Sequence, residues 1–329
     1  MLKLPEFQFH RPGTVEEAVA LLSTHGSEAR VVAGGTDLLP SMKQRLFTPS
    51  HVVSLRGIPA LHNIHWHETQ GLTLGAMVTL RELVQSPLVQ THYPALAQAA
   101  GQIATVIIQG MGTIGGNILL DTRCYYYNQG EFWREALGKC MKADGTLCQV
   151  ARSSPKCLAA FSADTVPVLM LYGGSLTFVG PEGTRIVALD DLYQDDGMRW
   201  LRLQPGEILT QVQLPPPHEG WRVRYDKVRL RQSIDYALLG VAVGLQQDQA
   251  GVVSRARVLL NAVSSMPEEV PEAQLLLGTT LDEARIEEVA QAAFQQVKPL
   301  TTHGVQPVYR KKMVKVTLKR ALEAMRVNA

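Results

Sequence analysis

The chain has 329 residues, 46% of them hydrophobic and 19% charged, with a formal charge of +2 at neutral pH. That balance suits two or three globular domains with their own cores and excludes an electrostatic nucleic-acid surface; no basic face has aromatics interleaved for base stacking. No apolar run reaches the length of a membrane span, and the start, Met1-Leu2-Lys3-Leu4-Pro5-Glu6, has neither an apolar signal core nor twin arginines, so the expected location is cytoplasmic.

Thr14-Val15-Glu16-Glu17 reads as a capping box opening a helix with Val15, Ala18, Val19 and Leu22 on one face. Arg30-Val31-Val32-Ala33 is a β-branched strand that runs into Gly34-Gly35-Thr36-Asp37. Strands are expected at Val52–Leu55 and Leu72–Ala76. A second capping box, Thr79-Leu80-Arg81-Glu82, starts a helix ending near Pro87, and Pro94 to about Ile108 reads as one helix with proline in its first turn. The stretch from Asp121 to Phe161 has no clear period. After it come a helix-like run from Ala163, strands around Leu176–Val179 and Leu209–Leu214, and the linker signal Pro215-Pro216-Pro217. Three strand-like runs (Arg222–Leu230, Ala237–Gln246, Val252–Leu260) and two helices (about Asp282–Val297 and Val308–Met325) complete an α+β pattern. The expected domains are 1–217 and 218–329, with 121–161 inserted in the first.

Two glycine turns stand out: Ala33-Gly34-Gly35-Thr36-Asp37-Leu38-Leu39 and Gly112-Thr113-Ile114-Gly115-Gly116-Asn117. Paired glycines admit positive φ and let main-chain N–H groups converge on an anion such as a diphosphate, while Thr36, Thr113 and Asn117 add polar side chains. Each turn alone also fits an ordinary strand end. Neither matches the dinucleotide or phosphate-loop fingerprints, so spacing does not name a ligand.

All four cysteines, Cys124, Cys140, Cys148 and Cys157, fall in one stretch with the spacing C-x15-C-x7-C-x8-C. Residues used as core filler would be scattered, so clustering points to a shared task. A reducing cytosol disfavours disulfides. Structural zinc sites and bacterial ferredoxin runs use tight cysteine pairs, and none exists here. Spacing leaves a [4Fe–4S] cluster, a zinc site and unrelated thiols open.

The two turns with their surroundings, together with Ser162-Ala163-Asp164-Thr165-Val166-Pro167 and Tyr225-Asp226-Lys227-Val228-Arg229, resemble the FAD-binding subunits of the molybdenum hydroxylases, the xanthine dehydrogenase family. The resemblance covers essentially the whole chain. It implies a two-lobed FAD-binding domain of the PCMH/VAO-like type and a C-terminal domain of a three-stranded sheet and helices. It implies FAD held at Val31, Val32, Ala33, Gly34, Gly35, Thr36, Asp37 and Leu38, at Thr113, Gly116 and Asn117, with Asp164 near the ribose or adenine and Lys227 touching the flavin. No catalytic side chain is expected, because substrate chemistry sits on another subunit.

Most such subunits lack a cysteine insertion. Asp121-Thr122-Arg123-Cys124-Tyr125-Tyr126-Tyr127-Asn128-Gln129-Gly130-Glu131-Phe132-Trp133-Arg134 looks like the cluster-bearing β subunits of 4-hydroxybenzoyl-CoA reductases, and all four cysteines fit their pattern. That likeness implies a [4Fe–4S] cluster on Cys124, Cys140, Cys148 and Cys157. It also implies a large molybdopterin subunit, a small subunit with two [2Fe–2S] clusters, a donor such as ferredoxin, and a dimer of heterotrimers. A related hydroxylase subunit passing electrons outward is the alternative, and a zinc-stabilised binding protein is a third.

Other residues read as ordinary structure. Asp164 also fits a helix N-cap, and Lys227 also fits a solvated strand lysine. Tyr125, Tyr126 and Tyr127 read as packing. The nine histidines show no ligand spacing, His62, His65 and His67 included, and Arg310-Lys311-Lys312 reads as a solvated helix face.

Overall fold

Parallel pairing organises the first lobe of the computed structural model, which describes residues 2–326. The lobe contains β1 (Gln8–His10), α1 (Val15–His25), β2 (Ala29–Val32), α2 (Leu38–Lys43) and β3 (His51–Ser54), its sheet in the order β1-β3-β2. Thr14 caps α1 by accepting from the Glu17 N–H, as its position predicts. The return arm differs from the expected capping box: the Glu17 carboxylate takes the Gly13 N–H. Ala18 and Leu22 are buried against Val53, Leu55 and Ile58.

The second lobe follows in chain order: β4 (Ile64–His67), β5 (Gly71–Gly75), α3 (Leu80–Gln85), α4 (Pro87–His92), α5 (Pro94–Gly101), α6 (Val106–Gln109), α7 (Ile114–Ile118), α8 (Glu131–Ala136), α9 (Val166–Leu171), β6 (Ser175–Gly180), β7 (Gly183–Ala188), α10 (Leu189–Leu192) and β8 (Ile208–Leu214). The five strands form an antiparallel sheet in the order β4-β5-β8-β6-β7. At Thr79 both arms of the capping box form. The single helix expected from Pro94 to Ile108 is two. It breaks after Gly101 at Ala104, whose φ of 47° lies in the left-handed region, and restarts where Thr105 caps α6.

The C-terminal domain holds β9 (Trp221–Val228), β10 (Leu239–Gln247), β11 (Val253–Asn261), β12 (Glu268–Glu269), α11 (Glu283–Gln296) and α12 (Pro307–Glu323). Its antiparallel sheet, β12-β11-β10-β9, has four strands rather than the expected three, since a two-residue edge strand pairs with β11. Leu239, Val241, Val243 and Leu245 pack one face of β10 against Ile286, Val289, Val314 and Leu318 of the two helices. From the other face, Tyr225, Ala242 and Leu259 enter the core of the second lobe beside Leu96, Phe161 and Leu169. Each such buried aliphatic side chain contributes about 1.5–3 kcal/mol, so one continuous core fixes the C-terminal sheet on the second lobe.

Arg310 corrects the sequence reading. It is buried, not solvated, and donates to the carbonyls of Leu238, Leu300 and Ala262. Burial pushes its guanidinium down to about 10. Three carbonyl acceptors from separate segments cannot be read from a basic tripeptide.

Candidate cofactor site

The first glycine turn joins β2 to α2 and is open to a ligand. Gly35 sits at φ 72°, which a side chain rarely adopts. Among the described residues, no protein acceptor takes the N–H groups of Gly34, Gly35, Thr36 or Asp37. Four consecutive unpaired donors before a helix form a nest suited to an anion.

The second turn is built differently from expectation. Gly115 and Gly116 lie inside α7, and the N–H groups of residues 114–117 are taken by protein acceptors. Ile114 donates to the Val78 carbonyl, Gly115 to Ala76, Gly116 to the Thr113 hydroxyl and Asn117 to the Thr113 carbonyl. What this turn still offers is side chains. Asn117 accepts from the Thr165 N–H and hydroxyl through Oδ1, and its Nδ2 meets no protein acceptor among the described residues.

The two turns touch. A Cβ built on Gly34 would lie 1.8 Å from the Met111 carbonyl oxygen, just before Gly112, and one on Gly115 would lie 2.7 Å from the Ala76 carbonyl oxygen. A Cβ on Gly116 would meet only the Thr113 hydroxyl, at 3.1 Å. Backbone cannot yield as a hydroxyl can. Gly34→Ala is therefore expected to part the two turns and lose stoichiometric flavin, whereas Gly116→Ala should retain most of it. Flavin-to-protein absorbance ratios of the two purified variants check this; equal ratios would contradict it.

Asp164 and Lys227, 63 residues apart, meet in a buried ion pair with Nζ 2.8 Å from Oδ2. Lys227 also donates to the Gln102 carbonyl at 3.1 Å, and the Tyr225 hydroxyl donates to Asp164 Oδ1 at 2.6 Å. Asp164 is thus no N-cap; Thr165 holds that position, without a side-chain cap bond. Lys227 is no solvated lysine, with its side chain 1% exposed. Burial raises the Asp164 carboxyl above its ordinary range, against the pull of Lys227 and Tyr225. The pair lashes the C-terminal sheet to the segment before α9.

The cysteine segment is a closed loop. Arg123 and Ala160 exchange both main-chain hydrogen bonds at its neck, each 2.7 Å. Inside, Cys140 and Cys148 flank a small turn closed by the Met141 N–H on the Leu147 carbonyl. Lys142, buried, reaches Asp121, the Thr122 hydroxyl and the Gly197 carbonyl, and lies over the rings of Tyr127 and Trp200. Arg134 of α8 donates to the carbonyls of Gln44 and Arg45, holding the loop on the first lobe.

All four thiols are buried and converge. Burial pushes Cys124 up to about 12, and proximity of the other three thiols adds to the rise. Burial likewise pushes Cys157 up to about 11, with Cys148 and Cys140 adding. Among the described residues, no three cysteine sulfurs lie within 4.8 Å of one another. Tetrahedral zinc would hold its sulfurs about 3.8 Å apart, given its bond length. Gly197 backs directly onto Cys157, where a Cβ would come within 2.9 Å of the sulfur. A direct link joins this loop to the first turn: Arg123, next to Cys124, pairs with Asp37 and bonds the Tyr236 hydroxyl. Burial raises Asp37, and Arg123 opposes it. Arg123 and Tyr236 carried no signal in the sequence, because their roles depend on contacts across 86 and 113 positions.

Residues 5–217 match the family model described as the FAD binding domain in molybdopterin dehydrogenase, and residues 224–325 match the CO dehydrogenase flavoprotein C-terminal domain. The chain is 33% identical to the carbon monoxide dehydrogenase medium chain of Afipia carboxidovorans over 325 residues, covering 98% of each. It is 33% identical to the aldehyde oxidoreductase FAD-binding subunit PaoB of Escherichia coli over 283 residues, covering 83% of this chain and 86% of that one. The solved structure of reconstituted CO dehydrogenase from Oligotropha carboxidovorans superposes with a TM-score of 0.80 at 31% identity, covering 98% of both chains.

Proposed function

This chain belongs to the FAD-binding subunits of the molybdenum hydroxylase family, and on that premise we propose that it is an electron-transfer subunit carrying both FAD and a [4Fe–4S] cluster. The observation behind the second cofactor is the convergence of Cys124, Cys140, Cys148 and Cys157 in a loop with no other periodic structure to justify it. These four would supply one thiolate to each iron. FAD would lie over the N–H nest of residues 34–37, with Val31, Val32, Ala33 and Leu38 shaping the loop, Thr113, Gly116 and Asn117 opposite, and Lys227 and Asp164 at the domain junction. When bound, FAD exchanges electrons in pairs or singly, which lets it join carriers of different kinds.

The chain's own work is to fix positions and charge. Arg123 ties the nest to the cysteine loop through Asp37, so one half-buried ion pair would hold the two cofactor sites in register. Lys142 places a cation beside the thiolate loop and so favours its anionic form, as its downward pull on Cys157 indicates. Burial keeps the four thiols out of water and would raise the sensitivity of a cluster's potential to nearby dipoles.

The finer reading is the β subunit of a 4-hydroxybenzoyl-CoA reductase. The chain would relay electrons from a low-potential donor such as ferredoxin toward molybdenum on a large partner subunit, by way of a small subunit with two [2Fe–2S] clusters, in a dimer of heterotrimers. The phenolic hydroxyl would leave as water, giving benzoyl-CoA. The likeness of residues 121–134 to that subunit supports this. Similarity to an aldehyde oxidoreductase subunit supports the second reading, a hydroxylase whose electrons leave through this chain to NAD, a quinone or ferredoxin. The assembled complex, given a reduced low-potential donor, should convert 4-hydroxybenzoyl-CoA to benzoyl-CoA. Oxidation of an aldehyde or N-heterocycle with no dehydroxylation would select the second reading.

A further inference from the structure

The first lobe brings together three histidines that lie 15 and 26 positions apart in sequence. His10 ends β1, His51 begins the neighbouring parallel strand β3 opposite Gln8, and His25 ends α1, which packs on β3 and β2. One ring nitrogen of each lies within 4.8 Å of the other two. His10 Nε2 and His51 Nδ1 share a hydrogen bond of 3.0 Å, and the His25 ring stacks on His51 with centroids 3.6 Å apart. All three are half-buried, and the cluster is separate from the glycine turns and the cysteine loop.

From this geometry we propose that His10, His25 and His51 form a site for a divalent transition ion of the imidazole-preferring class, such as Zn²⁺ or Ni²⁺. An ion between the rings replaces the hydrogen bond of His10 and His51. The shared proton moves to an outer ring nitrogen, so both inner nitrogens become lone-pair donors and the rings stay neutral. His25 turns about its side-chain bonds out of the stack to give the third ligand. Tetrahedral coordination needs nitrogens about 3.3 Å apart, which a shift of less than the present spread achieves. The carbonyl end of α1 adds a field that favours a cation at His25. Three protein ligands leave one position for water, and the ion would staple β1, β3 and α1 together.

The test uses the cofactor-loaded complex, freed of adventitious metal with a chelator and titrated calorimetrically with Zn²⁺ alone, then with Ni²⁺. One ion per chain is expected at the cluster, with His10→Ala, His25→Ala or His51→Ala each weakening binding at least about tenfold and abolishing the metal-induced rise in melting temperature. Unchanged iron content after the chelator step separates this binding from zinc captured by empty thiols. His51→Gln serves if the alanine variant does not fold. Unchanged affinity in all three histidine variants, or no binding in the wild type at micromolar metal, overturns the site.

Discussion

Replacing Cys140 by serine is expected to remove about four irons per chain while leaving FAD largely in place. The cysteine loop closes on itself at the Arg123–Ala160 neck, and both flavin turns lie outside it in sequence. Without a cluster, three buried thiols, the new serine and Lys142 are left to hold about forty residues whose regular structure is one short α-helix and one 3-10 turn. Metal binding and loop order are coupled, so protease sensitivity between Asp121 and Phe161 should rise with iron loss. Electron flow from a low-potential donor should fall far more than flow from a dye that reaches molybdenum directly. Iron and flavin analysis of the same preparation reads the result. Full iron content in the variant would remove Cys140 from the ligand set.

Lys227→Met should have the second large effect, for a reason the sequence did not offer. The substitution leaves Asp164 buried with only the Tyr225 hydroxyl as a partner. Breaking a buried pair from one side costs about 3–5 kcal/mol, well above the about 1 kcal/mol typical of a point substitution. Adding Asp164→Asn should recover part of that loss, because the uncompensated carboxylate is gone. Flavin affinity should fall in the single variant, since the pair fixes the C-terminal sheet over the second lobe, and iron should remain. Denaturant titration and flavin dissociation measured on both variants check this. Equal stability of Lys227→Met and wild type would show that the ion pair holds nothing.

Local rules were legible where one stretch of chain decides the outcome. The cap at Thr79, the strands at Val31 and Val53, and the amphipathic α11 all follow from neighbours a few positions apart. The rest depends on contacts between distant segments. Strand β7 was not foreseen because its side chains are mostly exposed and show no apolar alternation. The second glycine turn looked like a nest until Val78 and Ala76 supplied acceptors for its N–H groups. The pairing of Asp164 with Lys227 was not legible because neither segment reveals the other. His10, His25 and His51 have no ligand spacing along the chain, and only the parallel pairing of β1 with β3, which sets His51 opposite Gln8, brings it within reach of His10.

Counting iron, zinc, acid-labile sulfide and flavin on this chain, purified anaerobically, tests the two-cofactor account most directly. About four irons, four sulfides and one FAD per chain are expected, with the flavin released by acid because it is held without a covalent bond. One zinc at the cysteines with no labile sulfide, alongside bound FAD, would contradict the account and leave a flavin subunit whose thiols serve only to fasten a loop.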